Sequence, residues 1–120
     1  YVPKGYDFTQ LLDVFKKYSY MSDFHKYRNN YDYRLALLLL NKQYYMTNGS
    51  ILLVENKSPF SPISQLNYQY YSNISETLND NPGEIQCVVG SSKLPFGIAQ
   101  QPGLFDYADG VDTLQFLRGL

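Results

Sequence analysis

"ISQLNYQYYSNISETLNDNPGEIQCVV", residues 63–89, decides the fold class. Its first part, "ISQLNYQYY", is strand-like and rich in tyrosine. "SNISETLND" reads as a short helix, with Ser72 or Asn73 as its cap and Glu76 as a capping-box partner. "NPG" stops that helix, and "EIQCVVG" reads as a short buried strand. Strand, helix, strand implies a crossover, and a helical crossover implies parallel strands joined right-handedly. The expected class is α/β, with parallel strands and flanking helices.

Moving upstream, "SPFSP" (58–62) forbids helix and central strand pairing, so it is an extended loop. "ILLVEN" (51–56) is a buried strand, preceded by a turn at "TNGS" (47–50). "YDFTQLLDVFKKY" (6–18) is an amphipathic helix: Asp7 is its cap, and Phe8, Leu11, Leu12 and Phe15 share one face. "SDFHKYRNN" (22–30) predicts a second short helix, capped by Ser22 or Asp23 and ended by the double Asn. "YDYRLALLLLNKQ" (31–43) predicts a separate, stronger helix. Asp32 is its expected cap, and its leucines cover nearly every face, which implies burial on most sides.

Downstream, "KLPFGIAQQPGLFDYADGVDTLQFL" (93–117) crowds aromatic rings, glycines and prolines into a loop before a last helix. Asp109 is that helix's expected cap, with Gly119 past its end. The loop reads as a coil over a sheet edge, with Phe96, Leu104, Phe105 and Tyr107 packed inward. It also reads as the wall of a cleft for an apolar or flat ligand, and the two are compatible.

Length favours one domain, and no shift of composition marks a boundary in residues 1–120. Tyrosine dominates the aromatics, with 13 Tyr against 7 Phe and no Trp, which suits half-wet clefts and interfaces. Net charge is -1, with no run of like charge. That argues against a nucleic-acid surface, which needs clustered Lys and Arg. "LALLLL" (35–40) is the longest apolar run and is too short to span a bilayer. A single cysteine, Cys87, rules out an internal disulfide and a thiol metal site, and suits a reducing, cytoplasmic setting. "YVPKGYDF" opens the chain without an initiator Met or a targeting pattern, as a trimmed start or a piece of a longer protein would.

Candidate chemistry is thin. Cys87 sits among Ile85, Val88 and Val89, where a thiol is inert packing unless a cation or helix N-terminus activates it. His25 is the lone imidazole, so a two-His metal site is impossible and no Ser/His/Asp order emerges. Asp106, Asp109 and Asp112 recur at three-residue spacing, which suits a metal or an acid/base pair. Capping and first-turn placement account for Asp109 and Asp112 more cheaply. These residues contain no complete catalytic set and no expected metal site.

"PFG" (95–97), Pro102–Gly103, Asp109–Gly110 and "LQF" (114–116) resemble the end of the aldehyde dehydrogenase catalytic domain. "SPFSPISQLNYQYYSNISETLN" resembles that superfamily's Glu-x-Phe-Gly-Pro-Val segment, with Phe60 and Pro62 at the Phe and Pro. Within the superfamily, "NNYDYRLALLLLN", "IQCVVG" and above all "DYADGVDTLQFL" look like the C-terminal part of the bacterial long-chain acyl-CoA reductases of the LuxC type. The resemblance covers essentially the whole chain. Two positions depart from the pattern. Ser58 stands where the superfamily has its ribose-binding Glu, with Glu55 nearby but unaligned, and Ile98 replaces the second Gly of Pro-Phe-Gly-Gly.

The resemblance implies that residues 1–120 are one segment, the C-terminal part of such a catalytic domain. The nucleotide-binding half and the nucleophilic cysteine would lie upstream of Tyr1, leaving no catalytic residue here. Phe60, Pro62, Phe96 and Gly97 would line the cofactor and substrate cleft. The implied parent reduces a fatty acyl-CoA to the aldehyde through an acyl-cysteine, with hydride from NADPH, and is a cytoplasmic homo-oligomer with no membrane span and no nucleic-acid partner. A different reading is a self-contained α/β domain whose tyrosines face a protein partner. A small standalone hydrolase would lack a nucleophile paired with a base.

Overall fold

The computed structural model describes residues 1–73, 85, 87–90, 93–107 and 110–119. The chain is mixed α/β and divides into two compact units, Tyr1–Leu78 and Asn79–Leu120. The first unit runs β1 (Val2–Pro3), α1 (Phe8–Phe15), a 3-10 stretch (Lys16–Asp23), α2 (His25–Leu40), β2 (Met46–Thr47), β3 (Leu52–Glu55), β4 (Gln65–Tyr68) and β5 (Tyr70–Tyr71). The second unit contains α3 (Thr113–Arg118) and a series of turns.

β3 is the centre of the first unit because its residues are apolar on both faces. Leu52, Leu53 and Val54 are all essentially inaccessible to solvent. Side chains alternate along a strand, so Leu52 and Val54 pack with Tyr31 and Leu38 of α2, while Leu53 packs with Phe8 of α1 and Tyr68 of β4. A strand buried on both faces reads as a continuous apolar run, and "LLV" is such a run. Each fully buried aliphatic side chain here is worth about 1.5–3 kcal/mol. β2 pairs with β3 antiparallel and β4 pairs with it parallel, Leu53 opposite Leu66 and Val54 opposite Asn67. β1 pairs parallel with β5.

α1 forms as its pattern dictates. Asp7 caps it, accepting from the Thr9 N–H at 2.9 Å, and its apolar stripe enters the core beside Leu53. The turn 47–50 joins both helices to the sheet, α1 through Asn48 and α2 through Tyr27 and Tyr31. Asn48 Oδ1 accepts from the N–H of Ser50 and Ile51 and from the Ser50 hydroxyl, while its Nδ2 donates to Leu12 O. The Thr47 hydroxyl gives its only proton to Ile51 O, so the Tyr31 hydroxyl is the donor in their 2.9 Å contact. The Tyr27 hydroxyl donates to Ser50 O, and burial pushes this phenol's pKa up.

α2 corrects two expectations. Residues 22–30 and 31–43 are not two helices: one helix runs from His25 to Leu40 with Asn29 and Asn30 inside it. Asparagine costs roughly 0.7 kcal/mol against alanine in a helix interior, and local bonds offset that. Asn30 Nδ2 donates back to Lys26 O, and Arg28 pairs with Asp32 one turn on. Asp32 is therefore no cap. Neither Ser22 nor Asp23 caps the helix either, since Phe24 holds that position without a side-chain hydrogen bond. Burial on most sides is also wrong. Tyr31 and Leu38 are buried, but Leu39 and Leu40 are exposed, because only one face of α2 meets the sheet.

The parallel strands exist but are not the pair expected. β4 runs parallel to β3, and the connection between them is the loop 56–64, not a helix. The helix expected over 72–80 falls almost wholly outside the described residues. "EIQCVVG" is no buried strand among its described residues: Val89 makes a single bridge to Leu94, and Cys87 is exposed rather than packed in a core. In α3 the cap is Asp112, which accepts from the Gln115 N–H at 2.9 Å; Asp109 lies outside the described residues. Among the described residues no helix is long and apolar enough to cross a membrane.

Candidate functional site

The first unit holds a cavity of about 270 Å³ between the C-terminal half of α2 and the sheet. The register of β4 creates it. Gln65 and Asn67 lie opposite Leu52 and Val54, so they share the face that α2 covers, while Leu66 and Tyr68 share the face of α1. Two amides, joined by a hydrogen bond from Gln65 Nε2 to Asn67 Oδ1, line the space beneath α2. Leu37, Leu38 and Val54 give it an apolar floor. Asn41 and Gln43 close the end nearest the helix C-terminus, and Arg34 lines it from α2.

The remaining wall is the loop 56–62, including Ser58, Phe60 and Pro62. Beyond Asn56, whose N–H donates to Tyr68 O of β4, its backbone is held by side chains. Asn67 Nδ2 donates to both Ser58 O and Phe60 O at 3.0 Å, and the Asn67 N–H donates to Ser61 Oγ. Ser58 Oγ contacts both the N–H and the carbonyl of Phe60, and Asn56 Oδ1 accepts from the Ser58 N–H. Pro62 then begins a turn closed by the Gln65 N–H on Pro62 O, with Ser64 at φ 65°. Phe60 is held at the cavity with 65% of its surface still open.

Phe60 and Pro62, expected to line a cleft, thus share one cavity in the first unit. Phe96 and Gly97 lie together in the second unit, in a turn closed by the Ile98 N–H on Pro95 O. Gly97 has φ 86°, which only glycine adopts without strain, and the turn projects Phe96 outward. Phe96 is 83% exposed, Leu104 87% and Phe105 79%. The expectation that Phe96, Leu104 and Phe105 pack inward fails because each sits in a tight turn whose hydrogen bonds are local, while Tyr107 is 37% exposed. Asp106 Oδ2 accepts from the Gly103 N–H at 2.7 Å within one such turn.

Other candidates do not come together. Asp106 and Asp112 each serve a nearby backbone N–H, and Asp109 is outside the described residues. Among the described residues no three His, Cys, Asp or Glu side chains are grouped to hold a metal. Glu55 does not line the cavity. It alternates to the opposite face of β3, beside Tyr68. The polar members of the cavity were missed by sequence reasoning, though a signal exists. Tyr27, Tyr31, Arg34, Leu38 and Asn41 form one stripe of α2 at three- and four-residue spacing, so Arg34 interrupts the face that carries the core. No protein-family model matches this chain, and neither does any curated protein or solved structure.

Proposed function

We propose that this chain is the C-terminal part of a fatty acyl-CoA reductase with an aldehyde-dehydrogenase-like catalytic domain. The observation that carries the reading is Phe60 and Pro62, on a loop pinned by Asn67, at the wall of a cavity in the first unit. The motif that suggests the resemblance is therefore also the motif that shapes a site. In the proposed reaction an upstream cysteine thiolate attacks the acyl thioester, coenzyme A leaves as its thiolate, and the acyl group stays on sulfur. NADPH, when bound, supplies the hydride that turns that acyl group into the aldehyde.

The residues here fit the apolar side of that task and not the ribose-binding side. Phe60 offers a ring to exclude water from an acyl thioester. Ser58, at the place of the superfamily's ribose-binding Glu, has its hydroxyl engaged on the backbone of Phe60, and Glu55 faces away. Phe96 projects from its glycine turn in the second unit, and the resemblance implies a lining role for it in the parent enzyme. The test uses the intact gene product, long-chain acyl-CoA and NADPH. Phe60→Ala and Phe96→Ala should each lower aldehyde formation about tenfold and raise the fraction of acyl-CoA hydrolysed instead. An intact protein that oxidises no NADPH, or variants with unchanged kinetics, overturns the reading.

The exposed rings of the second unit also favour a protein-interaction domain. That reading expects the isolated 120-residue chain to be a stable monomer that uses these rings only on a partner. A fragment of a larger sheet would instead self-associate.

A further inference from the structure

We propose that the cavity beneath α2 binds a small organic carboxylate, with Arg34 as its counter-charge. The proposal concerns the same cavity as the reductase reading, whose wall carries Phe60 and Pro62, but it rests on Arg34, to which that reading assigns nothing. Arg34 is half-buried on the stripe of α2 that otherwise faces the core. It makes no ion pair, hydrogen bond or ring contact among the described residues, whereas Arg28, two turns earlier and exposed, is paired with Asp32. Its guanidinium nitrogens keep access to water, so the charge is free to meet an anion that enters the cavity. The macrodipole of α2 does not offset that charge, because that field acts within the last turn, Leu37–Leu40, and Arg34 lies before it.

The surroundings match an anion. No carboxylate lines the cavity, and the nearest one along β3, Glu55, is on the other face of the sheet. Asn41, Gln43 and Asn56 bring amide donors to the same space. A guanidinium presents paired donors to a planar carboxylate, and one cation balances one negative charge. A phosphate ester carries nearly two, and no second Lys or Arg lines the cavity. The volume, about 270 Å³, falls just short of the roughly 300–1,000 Å³ of drug-sized sites. Beyond the head group it leaves room for a compact apolar body on Leu37, Leu38 and Val54.

Benzoate, its neutral isostere benzamide, and inorganic phosphate separate charge from shape. Each is titrated against the 120-residue chain to about 10 mM, following amide shifts by NMR. Benzoate should shift residues of α2, β4 and the loop 56–62 and bind about tenfold tighter than benzamide or phosphate. Arg34→Met should abolish that preference while leaving thermal stability unchanged, since Arg34 has no bond within the described residues to lose. Arg34→Lys, which keeps the charge but not the paired donors, should retain part of the preference and guards against a misfolded Met variant. Equal binding of benzoate and benzamide, tighter binding of phosphate, no binding at all, or full benzoate binding by Arg34→Met overturns the assignment.

Discussion

Tyr68 is the residue through which packing becomes measurable chemistry. Its ring stands 4.5 Å from Phe8 and 5.6 Å from Tyr70, and only 6% of the residue is exposed. Burial first, then the neighbouring Tyr70 and Glu55, pushes its phenol up to about 12 from the usual 10.0. A phenol raised in the folded state holds its proton where the unfolded chain has lost it. The stability it contributes is therefore complete below pH 10 and drains away as pH rises towards 12. An absorbance titration of the phenolates should show a late-ionising tyrosine that Tyr68→Phe removes, and the same variant should flatten the alkaline fall in melting temperature. A Tyr68→Phe protein with an unchanged alkaline limb would contradict this account. At this scale Asp7 and Phe8 were legible because capping and helical periodicity are local. Asn48 was read only as part of a turn. That its amide ties α1 to the strand before β3 depends on contacts 36 residues apart in sequence, which no local pattern encodes.

At the scale of elements, α2 shows where local rules stop and packing takes over. Asn29–Asn30 reads as a break, yet the helix continues because Tyr27, Tyr31 and Leu38 dock on both sides of it. Its other end follows a rule the sequence hides. The Lys42 N–H donates to Leu39 O and the Gln43 N–H to Leu38 O, with Lys42 at φ 52°, the paired bonds of a Schellman stop. Glycine normally holds that position, and a lysine there concealed the stop. Left-handed backbone costs a residue with a side chain about 1–2 kcal/mol, and glycine's extra freedom when unfolded returns about 0.5–1. Lys42→Gly should therefore stabilise the chain by about 0.5–1 kcal/mol, read from denaturant midpoints at constant m-value. A destabilised Lys42→Gly would mean that the lysine side chain makes up for its own strain. The cavity was illegible for a related reason: two of its polar walls, Gln65 and Asn67, belong to β4, and which face of β4 meets α2 is set by register with β3, not by composition.

For the whole molecule, the α/β class was legible and the connection that suggested it was not the one that delivers it. Parallel pairing was inferred across residues 63–89, but β4 finds its parallel partner upstream, in β3, over the loop 56–64. The apolar run "LLV" was readable as a buried strand. Its role as the shared floor of two core clusters was not, because that requires helices from two separate stretches to arrive on opposite faces. Every buried residue among those described lies in Tyr1–Leu78, whereas Leu94, Phe96, Leu104 and Phe116 of the other unit are exposed. The driving force for folding scales with apolar surface removed from water, so the first unit carries the cooperative transition. Prepared alone, residues 1–78 should melt in a single step within about 5 °C of the 120-residue chain, and their β3 amides should be the slowest to exchange with solvent. Leu53→Ala in that fragment should cost about 2–5 kcal/mol, enough to abolish the transition in so small a unit. If residues 1–78 instead lose their cooperative melt while the 120-residue chain keeps it, the core around β3 is not enough to hold the first unit folded.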